Sequence, residues 1–170
     1  RYFYDLLGRL TLVRDPLLND TSFLYDPVGH LLRVRDPLLH DTTWSYDARG
    51  LVATKTDRGG KVWTYGYDAN RNMTSITDPA NKTTTYAYDA ANRLISITDP
   101  LNHASTYAYD IAGRLASKKD ALNRTTAYAY DTAGRLKTTT LPNNATVGYG
   151  YDADGHLTST TDPLGNVSAS

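Results

Sequence analysis

The sequence predicts an all-β fold of tandem antiparallel β-hairpins, and three observations carry that prediction. The dipeptide Tyr-Asp recurs every 21 residues, beginning at Tyr4, Tyr25, Tyr46, Tyr67, Tyr88, Tyr109, Tyr130 and Tyr151. All 18 acidic residues are Asp, and Glu, a good helix former, is absent. Short alternating stretches rich in Thr and Tyr are separated by clusters of Asp, Asn, Gly and Pro, the composition of strands joined by tight turns. A fixed period of this kind marks a repeat architecture in which stacking of neighbouring units supplies the core. The expected organisation is a single array of eight repeats over residues 1–170, open at both ends and part of something longer. Its expected form is one long antiparallel sheet, a rod-like solenoid.

Each element follows from the copy between Thr84 and Thr106. Thr84-Thr85-Tyr86-Ala87-Tyr88 alternates and is rich in β-formers, which predicts a strand. Asp89-Ala90-Ala91-Asn92 predicts a turn: Asp bonds the backbone two residues on, and Asn, or Gly in other copies, accepts positive φ. Arg93 to Thr98 predicts the return strand. Asp99-Pro100-Leu101-Asn102 closes the unit, with Pro presetting φ at the second turn position. Repeated eight times, this gives about 16 strands.

Alternation assigns the faces. Tyr86 and Tyr88 are two residues apart and share one side of the sheet. Across the copies this predicts two aromatic ladders. One is Tyr2, Phe23, Trp44, Tyr65, Tyr86, Tyr107, Tyr128 and Tyr149; the other is Tyr4, Tyr25, Tyr46, Tyr67, Tyr88, Tyr109, Tyr130 and Tyr151. Residues of the Leu94 type stand between them, and this face is expected to be the buried core, with neighbouring copies ~9–10 Å apart.

Composition excludes several functions. Eighteen basic residues cancel 18 acidic ones, so no global field draws the chain to nucleic acid or anionic lipid. No run of 18 apolar residues offers a membrane span, and the absence of Cys removes disulfides and thiolate metal sites. Fifteen of the Asp residues fall in the two turn frames, as equivalent copies, whereas a general acid or base needs one carboxylate in one special environment. His30, His40, His103 and His156 show no metal-ligand spacing, and His30 and His156 stand where other copies carry Arg, as solvated strand starts. The expectation is therefore no enzyme, no catalytic residue, no metal and no cofactor. Asn19, Asn72, Asn81, Asn123, Asn144 and Asn166 each satisfy Asn-x-Ser/Thr and are the candidate glycosylation sites; all but Asn72 fall in the second turn.

The string Tyr-Asp-x-x-Gly-Arg-Leu, intact at Tyr4–Leu10, Tyr109–Leu115 and Tyr130–Leu136, resembles the YD repeat of the RHS family. The aromatic-x-Tyr before it and the Asp-Pro after it extend the resemblance over essentially the whole chain. Departures are Asn92 for Gly, Arg71-Asn72-Met73 for Gly-Arg-Leu, and Leu141 for Asp. The resemblance implies hairpins that build a long sheet spiralling into a shell. Such shells enclose toxin domains in bacterial RHS proteins and insecticidal toxin complexes, and form an extracellular module in teneurins. It implies an extracellular or cell-surface scaffold with further repeats or copies of itself as partners through open sheet edges, and glycans as candidate decoration. The constant step favours a β-rod or fibre; the alternatives are a wall segment of a toxin-encapsulating shell and a carbohydrate-binding adhesin module.

Overall fold

The computed structural model describes residues 1–169, and every regular element in it is a β-strand. The strands form one sheet in which each pairs antiparallel with the next in sequence. The chain divides after Thr85 into two compact units. The first holds β1 (Tyr2–Tyr4), β2 (Leu10–Arg14), β3 (Asp20–Tyr25), β4 (Leu31–Arg35), β5 (Asp41–Tyr46), β6 (Val52–Thr56), β7 (Val62–Tyr67) and β8 (Met73–Thr77), and the start of β9 (Thr83–Tyr88). The second holds the rest of β9, then β10 (Leu94–Thr98), β11 (Ala104–Tyr109), β12 (Leu115–Lys119), β13 (Thr125–Tyr130), β14 (Leu136–Thr140), β15 (Thr146–Tyr151), β16 (Leu157–Thr161) and β17 (Val167–Ala169). There are 17 strands where about 16 were expected, because Val167–Ala169 opens a ninth copy.

All the turns follow one plan. In the first turn of a copy, the Asp110 N–H donates to the Arg114 carbonyl at 2.9 Å and the Gly113 N–H donates to the Asp110 carbonyl at 2.9 Å. In the second, the Asp120 N–H donates to Arg124 at 3.0 Å and the Asn123 N–H to Asp120 at 2.9 Å. The fourth turn residue sits in the left-handed region. Eight glycines and eight other residues do so, which accounts for all 16 turns. Gly and Asn tolerate this corner; Leu18 and Leu39, both at φ 65°, occupy it at a steric cost.

The two hairpin types differ in register. Across the second turn pairing is regular, as in Ser117↔Ala127 and Lys118↔Thr126. Across the first turn it slips by one residue: Ala108 faces Ser117 but Tyr109 faces Leu115, leaving Ala116 as a bulge. The same slip recurs between Phe3 and Tyr4, Leu24 and Tyr25, and Ser45 and Tyr46. It has a parity consequence. Following facing pairs through one copy leads from Tyr107 to Lys118 to Thr126, a step of 19, while the equivalent aromatic, Tyr128, lies 21 residues on. The difference is two, an even number, so Tyr128 shares the face of Tyr107. Without the bulge the difference would be one, and successive copies would turn their aromatics to opposite sides.

This register corrects the expected ladder spacing. Equivalent aromatics are displaced two residues along the strand as well as two strands across, so the ladders are slanted and successive rungs lie ~12 Å apart. The expectation of a buried core is also overturned: none of the described residues is buried. Strands touch only their sequence neighbours, so nothing packs on either face within a unit. Most ladder aromatics are half-buried by their in-sheet neighbours; Tyr2 and Tyr4 remain 67% and 60% exposed.

Candidate functional site

The chemistry-bearing residues gather at the first-turn edge, where the Asp of each Tyr-Asp pair organises a turn and the residues after it reach the next copy. Asp131 shows the local part. Its Oδ1 accepts the N–H groups of Ala133 and Arg135 at 3.0 and 2.8 Å, and its Oδ2 accepts the Arg135 Nε at 2.7 Å. Asp5 does the same for Leu7 and Arg9, and Asp89 for Ala91 and Arg93. One carboxylate thus serves two backbone donors and a side chain, which the shorter Asp reaches and Glu would overshoot. The charge is stabilised accordingly. The Arg93 side chain, then its backbone N–H, holds the Asp89 carboxyl below the usual range. For Asp5 the backbone N–H of Arg9 is the leading cause.

The Arg then leaves its own copy. Arg114 lies over the ring of Tyr130, 4.5 Å from its centre; Arg93 covers Tyr109 at 4.6 Å, Arg135 covers Tyr151 at 4.8 Å and Arg9 covers Tyr25 at 5.1 Å. Arg9 and Arg135 also donate from Nη1 to the carbonyls of Asp26 and Asp152 in the following copy, both at 2.8 Å. The clamped Tyr closes the link. Tyr130 Oη donates to the Leu115 carbonyl at 2.9 Å, Tyr109 to Leu94 at 2.8 Å and Tyr151 to Leu136 at 2.9 Å. Asp, Arg and Leu of one copy therefore hold the Tyr of the next.

This explains why Tyr, Asp, Gly, Arg and Leu recur together. A family model described as teneurin YD-shell matches residues 37–169, most of the chain. The chain belongs to the teneurin YD-shell family. Solved structures show the same fold at low identity. A crystal structure of TcdB2-TccC3 aligns with 95% of this chain at 17% identity and a TM-score of 0.59. The Photorhabdus luminescens Tc holotoxin pore aligns with 95% at 18% identity and a TM-score of 0.56. The chain spans about a tenth of the length of those solved chains, 11% and 12%. No curated protein sequence matches it.

The YD-shell clamp tolerates substitution where another residue supplies the missing contact. In the third copy Leu51 stands at the Arg position, and Arg49 replaces it from two residues earlier. Its Nε and Nη2 donate to Asp47 Oδ2 at 3.0 and 2.8 Å, and its Nη1 donates to the Asp68 carbonyl. In the fourth copy Arg71 takes the left-handed corner at φ 71°, and Asn72 donates to Asp68 Oδ2 at 3.0 Å. Leu141 lacks the carboxylate altogether; its turn keeps both backbone bonds, and Asn143 Oδ1 accepts the Ala145 N–H at 3.1 Å.

His30 departs from the expected solvated strand start. It pairs with Asp26 at 2.7 Å and stacks on Tyr46, centroids 4.5 Å apart, while Tyr46 Oη donates to the Leu31 carbonyl at 2.8 Å. Burial, with the Asp26 charge nearby, raises the Tyr46 phenol above its ordinary value. His156 is 78% exposed, as expected of a solvated position. His156 also belongs to the one cluster of three metal-capable side chains among the described residues, with Asp152 and Asp154. All three are exposed, and Asp152 already serves the His156 N–H at 2.8 Å as a turn acceptor.

The YD-shell sequons divide into two geometries. Asn19 and Asn166 donate from Nδ2 to Asp15 and Asp162, each at 2.8 Å, as Asn72 does to Asp68. Asn81, Asn123 and Asn144 occupy the exposed left-handed corner, at φ 59°, 63° and 64°. The inter-copy role of Arg was the part that sequence reading missed. Its only signal was a fixed place, five residues after Tyr, in the same frame as the aromatics.

Proposed function

We propose that the chain is a wall segment of a YD-shell carried by a secreted or cell-surface protein, and that its role is structural and not catalytic. The observation that supports this is the clamp: the motif residues of each copy hold the next copy in place, as Arg114 and Leu115 hold Tyr130. Eight equivalent turn carboxylates, one after each Tyr, do not suit general acid–base work, which needs one group tuned near the operating pH. The open faces and edges of the sheet fit association with further repeats or further copies. Glycan at Asn81, Asn123 or Asn144 fits an exported protein, since these corners project into solvent.

A second reading, a filament, is favoured by the constant 21-residue step, since a repeated step repeats one rotation and rise. Cryo-electron microscopy of the parent protein separates the two. A hollow closed particle is expected for the wall; a continuous filament whose repeat matches one hairpin would replace it. Intact-mass measurement before and after enzymatic glycan removal tests the decoration, and an unchanged mass would remove it.

A further inference from the structure

The repeat supplies its own reference for every position, so departures that gather in space stand out. On the aromatic face the residue opposite the first aromatic is Val13, Val34, Ile76 or Ile97 in four copies and Thr139 or Thr160 in two others. It is lysine in the remaining two, as Lys55 and Lys118. The next residue along that row is Thr21, Thr42, Thr84, Ser105, Thr126, Val147 or Ser168, except in the third copy, where it is Trp63. Pairing places the two departures side by side: Trp44 of β5 faces Lys55 of β6, which faces Trp63 of β7. The only two tryptophans of the chain thus flank one lysine on three adjacent strands of the open face.

The surroundings carry unpaired cations as well as aromatic rings. A groove of about 300 Å³ on this face is lined by Lys55 and Arg58 with Val34, Thr42, His40 and the two carboxylates Asp36 and Asp57. Both carboxylates are committed to their turns: Asp57 accepts the N–H groups of Gly59 and Lys61 at 2.8 and 3.0 Å, and Asp36 accepts those of Leu38 and His40, both at 2.9 Å, and pairs with the His40 ring. Lys55 and Arg58 make no ion pair among the described residues, whereas Arg33, Arg35 and Arg49 nearby all do. Two unspent cations beside two indole rings make a surface for a flat, hydroxylated and negatively charged molecule.

We infer that the Trp44–Lys55–Trp63 row is a binding site for an acidic oligosaccharide, its sugar rings lying on the indoles and its acid groups meeting Lys55 and Arg58. Facing residues on adjacent strands stand ~5 Å apart, so the two tryptophans are ~9–10 Å apart with the ammonium between them. That arrangement suits an extended chain of rings with an anionic substituent between two stacking points. A neutral sugar would leave Lys55 unmatched, and a compact anion such as phosphate would leave the indoles unused. The site rests on repeat geometry and not on the wall reading, so either stands without the other.

Both tryptophans lie in the site, so intrinsic tryptophan fluorescence reports on it directly. The probes are an oligogalacturonate, a neutral cello-oligosaccharide of equal length, a poly-aspartate peptide and a single-stranded oligonucleotide. A saturable change with the oligogalacturonate alone, weakening as salt is raised, is expected. Lys55→Val and Trp63→Thr restore what other copies carry at those positions, so both variants are expected to fold, with circular dichroism as the check. Each should weaken binding by about tenfold or more, the loss of a charged contact or a stacking surface. Equal response to the neutral sugar, preference for the peptide or oligonucleotide, no response to any probe, or unaltered binding by both folded variants would each overturn the proposal.

Discussion

Leu18 and Leu39 hold a left-handed corner that Asn or Gly fills in each of the other second turns, and both residues are 73% exposed. A leucine there pays the steric cost without a compensating contact. Replacing Leu39 with Asn should therefore stabilise the protein by about 0.5–1 kcal/mol, read from urea denaturation. An unchanged midpoint would mean that the corner is not strained. The first-turn aspartates make stability depend on pH. Their folded carboxyls titrate below the ordinary value, as at Asp5, Asp89, Asp110 and Asp131. The stability they contribute is fully present above the unfolded value of about 4 and is lost as pH falls through the lower folded values. Thermal melts should be level from neutrality to about pH 5 and then drop steeply. These turn roles were legible in the sequence because Asp, Asn and Gly have local backbone chemistry. The leucine corners were not, since only the frame places them there.

A hairpin joins its neighbour through more than the ladder of backbone bonds. Removing the Arg114 guanidinium by Arg114→Ala should cost about 1 kcal/mol from the stacking on Tyr130. Tyr130→Phe, which loses the bond to the Leu115 carbonyl, should cost about 0.5–1.5 kcal/mol. Because both changes act on one ring, the double variant should fall short of the sum, and a double-mutant cycle by denaturation tests it. Hydrogen exchange should quicken in β13 and β14 for each variant and stay unchanged in β16. At this scale the sequence declared strand, turn and period. It hid the bulge, because Ala116 looks like any strand residue and only pairing shows that nothing faces it. It also hid the reach of Arg, since contacts between copies leave no trace in the spacing within one.

For the whole chain, parity decides what can be added or removed. Deleting residues 106–126, one full copy, rejoins equivalent positions, so the variant should keep its strand signature in circular dichroism with little loss of melting temperature. Deleting 20 residues, 106–125, should turn every later aromatic to the opposite face and collapse cooperativity. Equal behaviour of the two deletions would refute the register. The sequence revealed the repeat but overstated its consequence. Two aromatics and a leucine per copy suggested a buried core, yet a single layer leaves every described residue at least partly accessible.

The two-residue stagger has a mechanical side. The row of facing residues that starts at Ser45 passes through Thr54, Thr64 and Thr77 and runs off the opposite edge at Thr83, four strands later. No single line of side chains spans the array. A pull along the array would load these short diagonals obliquely, parting one hairpin before the next bears full tension. Each parted copy would release 21 residues, roughly 70 Å of chain at full extension. The molecule would then lengthen in even increments, yielding a copy at a time while the remaining hairpins kept their grip.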